Sequence, residues 1–90
     1  MIYITEVHME VGNGHEHIAE VRWRNPATGA ADSSPRAEIV DWIHGQGCDA
    51  RVVDQNGNDA QVGVVAGNPP YLRTFADRVL TDNLLALPRY

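Results

Sequence analysis

Apolar and polar residues alternate along several stretches of this 90-residue chain, and the alternation predicts strands. Over residues 2–11, Tyr3, Thr5, Val7, Met9 and Val11 share one face, and Glu6, His8 and Glu10 the other. Over residues 15–24, Ala19, Val21 and Trp23 stand opposite Glu20, Arg22 and Arg24. The two stretches read as a hairpin. Placing both apolar sets on one side requires odd residues to pair with odd ones, so a connection of three or five residues is expected around Gly12-Asn13-Gly14. Ile2, Ile4 and Ile18 interrupt the alternation, which implies that part of the outer face is covered too.

The pattern then changes period. Residues 25–32 read as a loop by composition, and Ser34 as N-cap with Pro35 as first helical residue opens a helix of about ten residues. Ile39, Val40 and Ile43 form its apolar stripe with Trp42 at the edge, while Arg36, Glu38 and Asp41 face water. Gly45 or Gly47 ends it. A helix this short is not stable alone, so its stripe must pack on a sheet. Residues 50–54 and 60–65 read as strands flanking Gln55-Asn56-Gly57-Asn58, a hairpin signal, and residues 71–75 supply a fifth strand after the Gly67-Asn68-Pro69-Pro70 connector. Asp82 is placed to cap a short helical turn over residues 83–86 that Pro88 stops. The expectation is a single α+β domain over residues 1–90: an antiparallel sheet of about five strands, in two hairpins plus a C-terminal strand. One helix covers one face, and the order is β-β-α-β-β-β with a short C-terminal helical turn.

Composition narrows the function classes. No apolar run approaches the roughly 20 residues of a membrane span, and residues 1–6 lack a secretory pattern, so a cytoplasmic location is expected with no membrane partner. The single cysteine, Cys48, has no internal disulfide partner and no CxxC motif, and it reads as a half-buried small residue. Twelve acidic residues against seven arginines give a net charge of −5, and the arginines are scattered, which disfavours a general nucleic-acid binder.

Three groups of residues bear on chemistry. His15 and His17 put two imidazoles on one strand face, but a metal site needs a third or fourth converging ligand that the spacing does not supply, so no cofactor is expected. Glu6, His8 and Glu10 facing Glu20, Arg22 and Arg24 look like an acid, base and cation cluster and equally like a solvated sheet face with cross-strand charge pairs; the second reading is preferred. The densest polar set is Arg73, Thr74, Asp77, Asp82 and Asn83, which can form a ligand or partner surface or can simply tie down turns.

The pattern Tyr71-Leu72-Arg73-Thr74, then Asp77, then Asp82-Asn83-Leu84-Leu85 and Leu87-Pro88 resembles the C-terminal signature of domain-of-unknown-function family 3892, small bacterial and phage proteins. Ile4-Thr5-Glu6-Val7 and Ser34-Pro35-Arg36-Ala37-Glu38-Ile39-Val40 resemble that family as well. Arg78 stands where the family commonly has glycine, and Tyr90 where its chains often end in cysteine. The resemblance implies a domain extent but no activity. The preferred reading is a non-enzymatic protein-interaction module that contacts another protein or a second copy of itself, for which an open sheet edge would serve; a phage or mobile-element accessory or inhibitor is a special case. The alternatives are a nucleic-acid-associated protein using Arg22, Arg24 and Trp23, and a metal-dependent or small-ligand enzyme.

Overall fold

Strands β1 (Ile2–Met9) and β2 (Ile18–Arg24) form where the alternation places them, but β1 does not bury the expected face. The computed structural model describes residues 1–12, 14–53, 57–76, 79–81 and 83–90, with residues 76 and 79–81 described by main chain only. It buries Ile2, Ile4 and Val7 and leaves Tyr3 and Thr5 only partly covered. The cause is a bulge. Ile4 pairs with Trp23 and Glu6 with Arg22, so Thr5 is an extra residue that inverts the parity of the strand. Ala19 plays the same part in β2, between His8↔Glu20 and Met9↔Ile18, and this turns Ile18 inward. Odd-with-odd pairing therefore survives only in the middle, at Val7↔Val21.

The connection is longer than the three or five residues expected. It spans residues 10–17 and contains a 3-10 turn, His15–His17, whose His17 N–H donates to the Gly14 carbonyl at 2.9 Å; the Glu10 N–H closes the loop by donating to the His17 carbonyl at 3.0 Å. Val11 sits in it with φ of 73° and 99% of its surface exposed. A β-branched residue in the left-handed region is strained, and no burial offsets the strain.

Residues expected to be loop and helix start form a third strand, β3 (Ala31–Pro35), antiparallel to β2. Asp32-Ser33-Ser34-Pro35 has no strand pattern of its own. What orders it is the ladder to β2 and the burial of Ser34, whose Oγ accepts the Trp23 Nε1–H at 3.0 Å. Ser34 is thus not a cap, and helix α1 (Arg36–Gln46) follows Pro35 directly. Its end is as expected: Gly47 takes φ of 67°, and the Cys48 N–H reaches back to the Trp42 carbonyl at 2.8 Å. Ile39 is buried, Val40, Trp42 and Ile43 pack at the core margin, and the Trp42 ring meets Trp23 edge-on at 5.5 Å.

Strands β4 (Ala50–Val53), β5 (Asp59–Val65), β6 (Tyr71–Ala76) and β7 (Val79–Thr81) run antiparallel in succession. The expected turn at residues 55–58 and the cap at Asp82 fall at least in part outside the described residues. At Gly63 of β5 the Phe75 ring of β6 packs over the glycine, 2.5 Å from where a Cβ would be, so a larger residue there would have to displace the ring. Among the described residues the sheet has seven strands in the order β3-β2-β1-β4-β5-β6-β7, rather than about five, and it is not wholly antiparallel. Since α1 carries the chain from β3 back to β4 on the far side of β1, β1 and β4 pair in parallel, at Ile2↔Ala50 and Tyr3↔Arg51. The helix touches β2, β3, β5 and β6, so the sheet curls around it.

Beyond Tyr3, the side of β1 that faced β4 is occupied by the C-terminal segment. The Val7 N–H donates to the Pro88 carbonyl at 3.0 Å, and the Tyr90 N–H donates to the Val7 carbonyl at 3.2 Å. Ahead of that contact, residues 83–86 form a turn, and the Asn83 N–H donates to Thr74 Oγ1 at 3.2 Å. Leu84 is fully buried in the core, with Leu85 and Leu87 packed at its edge.

Two stability predictions follow from these positions. Leu84→Ala should lower the unfolding free energy by about 3 kcal/mol in urea titration, the usual range for a fully buried leucine. Val11→Gly should raise it by about 1 kcal/mol in the same titration, because φ above zero is open to glycine and no packing is lost.

Candidate functional site

The structure divides the five polar residues of the C-terminal signature. Thr74 is buried, and its hydroxyl accepts the main-chain N–H of Asn83, so this pair ties the last turn to β6. Arg73, one residue earlier in β6, lies on the opposite face and is half-buried. Asp77 and Asp82 lie outside the described residues. The two histidines are not on a strand face: they belong to the 3-10 turn, with His15 buried and His17 beside Glu16 at 3.6 Å. Among the described residues no three His, Cys, Asp or Glu side chains converge on one point. Cys48 is half-buried at the core margin, as expected.

The outer face of β1 and β2 carries a connected polar group. Cross-strand register sets Glu6 opposite Arg22 and His8 opposite Glu20. Arg22 Nη1 lies 3.5 Å from Glu6 Oε1, an exposed pair of small energetic weight. Tyr90, brought in by the C-terminal segment, organises the rest. Its hydroxyl donates to Glu20 Oε1 at 2.7 Å, its ring lies 4.1 Å beneath the Arg22 guanidinium, and its main-chain oxygen is 2.6 Å from His8 Nδ1. Sequence spacing carries no signal for this group, because Tyr90 is 70 residues from Glu20. Desolvation and, next, the hydrogen bond to Glu20 push the Tyr90 phenol well above its usual 10.0.

Farther along β2, Arg24 lies over the Tyr3 ring, 4.8 Å from its centroid. Trp23, between the two arginines, has its indole engaged by Ser34 and Trp42. Next to the arginines is an open groove of about 440 Å³. Ala31 and Ser33 of β3, directly opposite Arg24 and Arg22, line it together with Asp32 and its pairing partner Trp23, and Thr5 and Glu6 line its β1 side.

The free edge of β3 is less receptive than its position suggests. Among the described residues no strand pairs with its far side. The Asn25 N–H donates to the Ala30 carbonyl, so alternation turns the main-chain groups of Ala31, Ser33 and Pro35 to the open side. Of these, the Ser33 N–H is held by the Asp32 carboxylate at 2.8 Å, and proline has no N–H. A charge and a proline blunt the edge against strand addition.

The shifted phenol has a measurable consequence. Above pH ~10 the unfolded Tyr90 ionises while the folded one remains protonated, so the folded state binds more protons and stability falls as pH rises. Denaturant titrations from neutral to strongly alkaline pH should show a shallower alkaline decline for Tyr90→Phe than for the parent chain. At neutral pH the variant should be less stable by about 1 kcal/mol, the loss of one hydrogen bond whose charged acceptor is partly screened by solvent.

No helix among the described residues is long and apolar enough to cross a membrane. Neither a curated protein nor a solved structure matches the chain. The family comparison agrees with the resemblance carried by the strand-opening, helix and C-terminal motifs: residues 3–88 match the model described as Protein of unknown function (DUF3892), and the chain belongs to that family.

Proposed function

We propose that this chain is a non-enzymatic protein-interaction module that contacts another protein, or a second copy of itself, through the outer face of β1, β2 and β3. The observation that carries the reading is the groove beside Arg22 and Arg24: open, lined on β3 by Ala31, Asp32 and Ser33, and walled by side chains already held in place by Tyr3, Tyr90 and Glu6. Preorganised walls lower the ordering cost of binding. The polar groups nearby are tied to one another, Glu6 to Arg22 and both Glu20 and His8 to Tyr90, which favours a binding face over acid–base chemistry. A phage or mobile-element accessory or inhibitor would be one case of such a module. Against the nucleic-acid alternative stands the engagement of the Trp23 indole by Ser34 and Trp42, which makes it a poor stacking platform for a base.

Site-specific photocrosslinking in the cell that makes the protein tests this reading. A benzophenone side chain at Ser33 should give discrete adducts, and a band near twice 9.9 kDa would identify a second copy. The same group at Gln61, exposed on β5, should not. No adduct at Ser33, or the same adducts from both positions, would overturn the assignment.

A further inference from the structure

The groove can be assigned a ligand chemistry, on the reading that this face is the contact surface. We infer that it takes an extended segment of another protein that presents a carboxylate side chain to Arg24.

Arg24 is the starting point. Arg22 is within ion-pair distance of Glu6, and Arg51 of Asp49 and Asp59, but no carboxylate among the described residues lies within that distance of Arg24. Its guanidinium is instead laid on the Tyr3 ring. A contact with the ring face uses none of the guanidinium N–H groups, and these form the fork that a carboxylate accepts with both oxygens. Across from it on β3 is Ala31, with Ser33 one step along the same face, so the strand residues directly opposite the two arginines are small. A segment running along β3 repeats its side chains on one face about every 7 Å, which lets one side chain reach Arg24 while the next passes Arg22.

Two carboxylates decide between anions. Glu6, which already shares Arg22, and Asp32, which holds the Ser33 N–H, both line the groove, so a run of closely spaced phosphates would meet both charges, whereas a single carboxylate at Arg24 adds only one. The rings nearest the arginines, Tyr3 and Tyr90, each carry a guanidinium on one face, so neither is an open platform for a base. These features favour an acidic protein segment over a nucleic acid. Because the Ser33 N–H is already taken, side-chain contact across the face carries recognition, not a continued ladder.

The test is a titration followed by amide chemical shifts, using the blocked peptide Thr-Val-Glu-Val-Thr, its glutamine counterpart and an eight-residue oligothymidylate. The glutamate peptide should move the amides of Arg24, Ala31 and Ser33. Binding should weaken roughly tenfold or more for the glutamine peptide and for Arg24→Gln, since a charge-assisted hydrogen bond is lost in each. Arg24→Lys should fall between, keeping charge without the fork; an unchanged remainder of each variant's spectrum shows that it is folded. Equal binding of both peptides, no response to either, or a response to the oligonucleotide alone would overturn the inference. If Ser33 still crosslinks in the Arg24→Gln chain, the contact face stands and only the carboxylate assignment falls; if that crosslink was never present, both fall together.

Discussion

The pairing of residues 88–90 with β1 is the constraint on which the rest of this structure depends. β1 shares only two register pairs with β4, and without a further partner the main chain around Val7 would lie unpaired next to a buried side chain. Main-chain groups in such a position need hydrogen bonds, and the C-terminal segment provides them. The same segment sends Leu84 into the core and Tyr90 across the outer face. One short stretch therefore completes the sheet, the core and the polar network at once, which gives a chain of this size a way to close a thin core.

The bulge at Thr5 is coupled to that closure. Inward side chains and the main-chain groups facing β4 alternate together along a strand, so the extra residue moves both from the even positions Ile2 and Ile4 to the odd position Val7. This shift presents the Val7 N–H and C=O to Pro88 and Tyr90. It also leaves Glu6 and His8 on the outer face, beside the Tyr90 ring that arrives there. The Arg22 and Arg24 stacks are thus a product of two long-range events, the tail docking and the meeting of β1 with β2.

The groove and the edge of β3 illustrate how a small sheet separates contact from aggregation. An outermost strand invites another strand, and here Asp32 and Pro35 discourage that pairing while the adjoining face stays open. Recognition across a face depends on side-chain chemistry and is selective, whereas edge pairing depends on main-chain groups common to every protein.

By itself the sequence determined the elements that carry their own pattern. The two alternating stretches became β1 and β2, the period-3.6 stripe around Ile39 became α1 with its end at Gly47, and the apolar runs became β4, β5 and β6. It also marked the C-terminal signature as important, though Thr74 and Asn83 turn out to act as a tie between β6 and the last turn. What only the tertiary structure decided was everything set by a partner. β3 has no strand pattern and exists because β2 pairs with it; the parity of β1 turns on one unpaired residue; the parallel β1–β4 junction follows from where α1 returns the chain. The outer-face site belongs to the same class, since Tyr3, Arg24, Arg22 and Tyr90 meet only after the sheet has closed. Periodicity reports which way a side chain points relative to its neighbours in sequence, and it contains nothing about which distant residue will fill the space it points into.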